Sequence, residues 1–283
     1  MGLFRRFIDK NVALASPLKL TPWRKVAIGT WKTVGDPSVY GFIDFDVTAA
    51  LAYIESAKKN SPAIRITFTH FVGKAMAEAI KRHPEVNCIL RFGRLYPREK
   101  VDVFFQVASD TKGEDLSGMT VRDAPRKSIQ AIAAEMADQV QVIREKGDPA
   151  FKKMKGTMGL IPGFLAWPII NLSGFILYGL NLWISLLGTP KDPFGSVMIT
   201  NIGSLGLDMA FAPLVPYSRV PMLIVVGAVR DAPVVKDHAL SIAPLCRLAC
   251  TFDHRLIDGM HASHLAKTLH QIFADPVKEL GPP

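Results

Sequence analysis

Residues 251–259 read TFDHRLIDG, setting His254 four residues before Asp258 with Arg255 between them. Histidine is the side chain whose ordinary pKa lets it take or release a proton near neutral pH. An acid four residues on can brace the imidazole through the same backbone turn. The string has the makings of a general-base site, but His-x-x-x-Asp also arises by chance and needs agreeing context. That context is present. The runs 223–229 (LIVVGAV) and 247–252 (RLACTF) are short, apolar and rich in β-branched residues, bounded by Pro, Gly and Asp, as buried strands are. Downstream, Leu265, Leu269, Ile272 and Phe273 recur at helical spacing. His254 is thus expected at a strand end before a turn and helix, where rigid scaffolds present functional side chains.

Other reactive residue types are better read as structural. His261, His264 and His270 share the closing helix, but a His-x-x-His pair without nearby carboxylates reads as solvent-facing, and no metal site is expected. His70 and His83 read as helix-surface residues. The three cysteines, Cys88, Cys246 and Cys250, are too few for a disulfide framework and point to a reducing, cytoplasmic setting. Cys246 and Cys250 share a strand face and read as small buried apolar residues.

A formal charge of +9, from 34 Lys plus Arg against 25 Asp plus Glu, favours an anionic partner: nucleic acid, lipid headgroup, or a phosphorylated molecule such as coenzyme A. The basic residues are dispersed, with no aromatic-interleaved stripe, which argues against nucleic acid. The N-terminal stretch lacks the apolar core and cleavage site of a secretory signal. Residues 2–14 fit either a basic amphipathic helix on a membrane surface or a segment packed on the protein's own body.

The elements that must position His254 can be placed from periodicity and punctuation. After an arm over 1–24, a catalytic unit is expected over 25–283. Its strands are expected at 39–47, 89–95, 101–108, 196–201, 222–229, 239–243 and 245–252, and its helices at 48–59, 67–83, 128–146 and 261–273. Interspersed helices and strands in a chain of 283 residues, 49% apolar, predict an α/β sandwich with a large mixed sheet. One segment departs from this pattern. Residues 156–190 hold no Asp, Glu, Lys or Arg, yet Pro162, Pro168, Gly174 and Asn181 interrupt them. A hairpin here has arms of ~15 residues, or ~23 Å, short of the ~30 Å hydrocarbon core. Three readings stand: a shallow membrane-dipping hairpin, an apolar oligomer contact, and a lid over an apolar substrate.

Taken together, the motifs resemble the acyltransferase (E2) catalytic domain of 2-oxo-acid dehydrogenase complexes, a fold related to chloramphenicol acetyltransferase. DHRLIDG at 253–259 is similar to that family's signature, and SVMITNIGSLG at 196–206 resembles its strand-turn segment. PMLIVVGAVRDAPVV at 221–235 resembles the strand that follows, HPEVN at 83–87 a P-x-x-N signal, and FDVT at 45–48 an early strand. The resemblance implies a two-layer α/β sandwich with a large mixed sheet, assembled as homotrimers or larger assemblies of trimers, with active sites at subunit interfaces and coenzyme A as a substrate. It implies His254 as general base, taking a thiol proton, and Thr200, where the family has Ser, as donor to a tetrahedral oxyanion. Asp258 is then the motif's acid, holding the site's shape through a basic partner. Arg255 and Asn201 are supports, and Gly259 supplies a turn at φ values other residues avoid.

Two departures qualify the expectation. SDTKGEDLSGMT at 109–120 replaces a proline-bearing family stretch, and 156–190 falls where the family has a short connection. A stand-alone acyltransferase transferring an acyl group between coenzyme A and an acceptor follows, peripherally membrane-associated if 156–190 touches lipid. The alternatives are a non-catalytic oligomeric scaffold and a subunit served by lipoyl domains in trans.

Overall fold

The longest β-branched runs of the chain become its longest strands, and these decide where the candidate residues stand. A computed structural model describes residues 8–19, 37–108, 116–146, 162–185, 190–236 and 238–283. Its strands are β1 (Ile8–Lys10), β2 (Ser38–Asp46), β3 (Cys88–Arg91), β4 (Arg94–Pro97), β5 (Val103–Ala108), β6 (Leu116–Val121), β7 (Leu182–Ile184), β8 (Val197–Asn201), β9 (Met222–Lys236) and β10 (Ala239–Asp253). The helices are α1 (Thr48–Asn60), α2 (Phe68–Arg82), α3 (Ile129–Lys146), α4 (Gly163–Gly174), α5 (Gly259–Ala274) and α6 (Pro276–Leu280).

Six strands form one mixed sheet in the order β2-β10-β9-β8-β5-β6. The β9–β8 and β8–β5 pairs are parallel, and the others are antiparallel. Helices α1, α2, α3 and α5 cover one face, burying Phe45, Phe71, Phe105, Ile80, Ile224 and Phe273 in a single core. Gly73 lets α2 lie close on the sheet, because a Cβ there would stand 2.2 Å from the ring of Phe105. A smaller cluster of Phe104, Leu214, Val220, Leu223 and Val225 lies on the other face. Helices on one side of a mixed sheet make the expected two-layer α/β sandwich.

Several boundaries differ from expectation for physical reasons. The expected single strand at 89–95 is the hairpin β3–β4, turned at Phe92 and Gly93, both at positive φ. The two strands expected either side of Pro244 are one continuous β10. Pro244 is tolerated because its carbonyl accepts from Val47 N just past the end of β2, so its missing N–H faces no strand there. β6 was not expected. His70 is buried at 8% exposure rather than on a helix surface: its Nδ1 accepts from Thr67 N at 3.1 Å and closes a capping box at the start of α2.

The arm and the uncharged insert meet. Residues 8–10 pair with β7, and Leu14 and Leu18 run beside β4, so the described part of 2–14 is extended against the body instead of helical. Asn181, at φ 56°, uses its side-chain amide as a substitute strand residue, accepting from Val12 N at 2.8 Å and donating to Val12 O at 2.9 Å. In the insert, α4 runs into a π-helical turn over Phe175–Gly179, whose Leu177 and Tyr178 are buried with Val12 and Ile89. Among the described residues no helix is long and apolar enough to cross a membrane. Residues 156–161 and 186–189 lie outside the described part.

Candidate active site

β10 delivers the DHR motif at the edge of the helix layer. Asp253 N donates to Pro221 O on the β9 side, and His254 N to Pro37 O on the β2 side, each at 2.9 Å, so the strand ends locked between both neighbours. Asp253 and Arg255 then form a buried bidentate pair: Arg255 Nε reaches Oδ1 at 2.9 Å and Nη2 reaches Oδ2 at 2.7 Å. Their side chains are 4% and 3% exposed, so this clamp is shielded from solvent and holds the tight turn that projects His254.

Within that turn His254 Nδ1 lies 3.1 Å from the carbonyl oxygen of Ile257, while the ring stays partly exposed. A carbonyl can only accept, so this contact places a proton on Nδ1, and in the neutral ring the lone pair is then on Nε2. That is the tautomer a general base needs. Asp258 is the N-cap of α5, its Oδ1 accepting from Met260 N at 3.1 Å and His261 N at 3.2 Å, with His261 Nδ1 2.9 Å away. It anchors the exit of the turn to a helix. Gly259 corrects an expectation. It is the first residue of α5, is not among the positive-φ glycines, and has open space where a Cβ would stand.

Thr200 and Asn201 end β8. Asn201 Nδ2 donates to Thr69 Oγ1 at 2.6 Å and its Oδ1 accepts from Ser204 N, bending the chain beyond the strand. The bend is possible because Gly203 and Gly227 carry no side chain: a Cβ on Gly227 would stand 2.0 Å from Asp208 O. Thr200 pairs with Val225, which pairs with Ala249, so Thr200 stands two strands across and five residues along from His254. At ~3.3 Å per residue and ~4.8 Å per strand these Cα atoms are about 19 Å apart. One chain therefore does not bring His254 and Thr200 together.

One residue near the motif escaped the sequence reading. Arg219, at φ 56°, lies two residues before Pro221 and thus abreast of the DHR turn. Among the described residues it has no hydrogen bond or ion pair, and burial, then the charge of Arg255, holds its pKa below the usual guanidinium range. Its only signal in sequence was an arginine in an apolar, proline-flanked stretch. Cys246 and Cys250 are buried, and burial pushes both thiols up to about 12, so neither is a nucleophile at neutral pH.

With this geometry described, comparison with known proteins gives a consistent result. A protein component named dihydrolipoyllysine-residue acetyltransferase of the pyruvate dehydrogenase complex, from Bacillus subtilis (strain 168), is 26% identical over 249 residues, covering 85% of this chain and 45% of the relative. The succinyltransferase component of the 2-oxoglutarate dehydrogenase complex from Haemophilus influenzae is 24% identical, covering 83% of this chain and 46% of the relative. The chain thus spans just under half the length of these relatives. A solved structure described as the cubic core of the pyruvate dehydrogenase multienzyme complex superposes with TM-score 0.65 at 20% identity, covering 94% of this chain and all of that one. A chloramphenicol acetyltransferase superposes with TM-score 0.53 at 13% identity, covering 91% of this chain and all of that one, so the fold is shared. The family described as 2-oxoacid dehydrogenases acyltransferase (catalytic domain) matches residues 18–161 and 192–280, passing over the insert, and the chain belongs to that family.

Proposed function

We infer that this protein is a coenzyme A-dependent acyltransferase whose active site is completed by a second copy of the chain. The observation that carries the reading is the His254 Nδ1 contact with its own turn, which leaves Nε2 as a base. Nε2 takes the proton from the thiol of coenzyme A, and the thiolate sulfur attacks the acyl carbonyl carbon. The resulting oxyanion accepts a hydrogen bond from Thr200 of the neighbouring copy. Collapse re-forms the carbonyl, breaks the bond to the leaving group, and returns the proton from Nε2 to it. The reverse sequence acylates the acceptor. Arg219, a cation without a partner among the described residues, supports an anionic, phosphate-bearing substrate near the motif.

The separation of His254 and Thr200 within a chain calls for assembly, and the surface supports it. The ribbon made by the ends of β9 and β10 exposes Leu240 at 82% and Ile242 at 79%, and β2, the last strand of the sheet among the described residues, exposes Tyr40 and Phe42. Apolar side chains in such a row are costly in water unless a partner covers them. A trimer or an assembly of trimers fits the relationship with a cubic core. A second reading, an oligomeric scaffold without turnover, is favoured by the insert alone, whose Trp167 is 75% exposed and Leu172 61%. That face fits an apolar contact with lipid or a partner protein.

Release of free coenzyme A from a panel of acyl-coenzyme A donors with thiol, hydroxyl and amine acceptors tests both readings. His254→Ala is expected to lose at least ~10²-fold in rate. Thr200→Val is expected to lose ~10²–10³-fold, while Thr200→Ser keeps the donor. Co-expressed His254→Ala and Thr200→Val chains should regain activity in mixed oligomers, since some interfaces then hold one intact pair. No recovery sinks the shared site, and wild-type protein inert on every pair leaves the scaffold.

A further inference from the structure

The three histidines of α5 do different things. His261 Nδ1 accepts from Asp258 N at 3.2 Å and closes the capping box. His270 lies against the ring of Phe45, centroids 4.7 Å apart. His264 instead faces the far end of α2, where the chain leaves the helix through His83, Pro84 and Glu85. The His264 and His83 rings stack with centroids 5.8 Å apart, and one ligating atom each of His83, Glu85 and His264 lies within 4.8 Å of the others. The carboxylate that the α5 histidines lack in sequence is therefore supplied by the fold.

We propose that His83, Glu85 and His264 bind a divalent transition-metal ion, Zn2+ by ligand chemistry, which staples the end of α2 to α5. Two imidazoles and a carboxylate are a ligand set zinc takes, with a water completing four-coordination. Ligand atoms around a tetrahedral zinc at ~2.0–2.1 Å stand ~3.3 Å apart, so side-chain rotations closing the cluster by up to about 1.5 Å suffice. The second observation is the hold on His83. Its Nε2 lies 2.8 Å from Oγ1 of Thr268, which is buried on α5 one turn past His264. When Nε2–H donates to this hydroxyl, Nδ1 presents its lone pair toward Glu85 Oε1, 3.5 Å away. Two acceptors face one another there, and a cation between them satisfies both. A ligating histidine that donates its other N–H to a fixed acceptor is how metal sites orient their ligands.

The test is a Co2+ titration of untagged, chelator-dialysed protein, read by visible d–d absorption and calorimetry, with Zn2+ as competitor. Bands saturating at one ion per chain, displaced by Zn2+, and a melting temperature rising with added Zn2+ are expected. His264→Ala and Glu85→Gln should each weaken binding at least tenfold. Thr268→Val should weaken it by about 10–100-fold while leaving the ligands in place. His238→Ala, at a turn elsewhere, should bind as wild type. Absence of saturation near one equivalent, or equal binding by wild type and a folded His264→Ala, overturns the proposal. None of these residues is assigned to acyl transfer, so either outcome leaves the acyltransferase reading to its own test.

Discussion

At the scale of single residues, environment separates histidines that look alike in sequence. His254 is partly exposed, whereas His70 is buried and must stay neutral for Nδ1 to accept from Thr67 N. Burial, reinforced by Arg65, lowers the pKa of His70 to about 4. An unfolded chain binds that proton near the ordinary value of ~6.5, so between the two values the unfolded state holds more protons. The stability His70 supports is complete above ~6.5 and is lost as pH falls toward about 4, by up to roughly 3 kcal/mol. Urea midpoints between pH 7 and 4.5 should therefore drop more steeply in wild type than in His70→Gln, whose amide can still accept the cap. Equal slopes would remove the assignment. The DHR motif was legible because its parts are contiguous: strand, turn and helix signals all lie between residues 247 and 273. The burial of His70 was not, since nothing local says which face of a helix meets a sheet.

Elements show the same division between local and distant information. Strands β2, β8 and β9 were readable from apolar runs and their flanking turns. The hairpin β3–β4 was missed because its turn is made by Phe92 and Gly93, and phenylalanine is a poor signal for positive φ. Pro244 misled in the opposite sense, because whether a strand tolerates proline depends on which neighbour has already ended. Gly227 tests the packing of the turn after β8. Gly227→Ala would drive a methyl group into the backbone carbonyl of Asp208, with no flexible side chain to yield. A loss of about 1–3 kcal/mol in denaturant unfolding, with unchanged slope, is expected.

Across the whole molecule, strand order matters more than any motif. His254 was singled out by its motif and Thr200 by the family resemblance alone, but their separation follows from β9 lying between β8 and β10, a pairing that spans tens of residues of sequence. The proposed function requires an assembly, and the exposed ribbon is where that assembly can be disrupted without touching the candidate site. Leu240→Asp with Ile242→Asp should convert the sedimenting oligomer into monomer and abolish turnover together. Retained turnover in the monomer would contradict a site shared between copies.

The Asn181 amide, bonded to both polar groups of Val12, has a practical corollary for anyone handling this protein. The oily segment has no Asp, Glu, Lys or Arg of its own, and the pairing of residues 8–12 along it adds to the hold that Arg91 keeps on Gly179 O. A chain shortened to begin at residue 18 would keep every catalytic candidate yet loosen that segment by stripping β7 of its partner strand, and aggregation on storage should be the visible symptom.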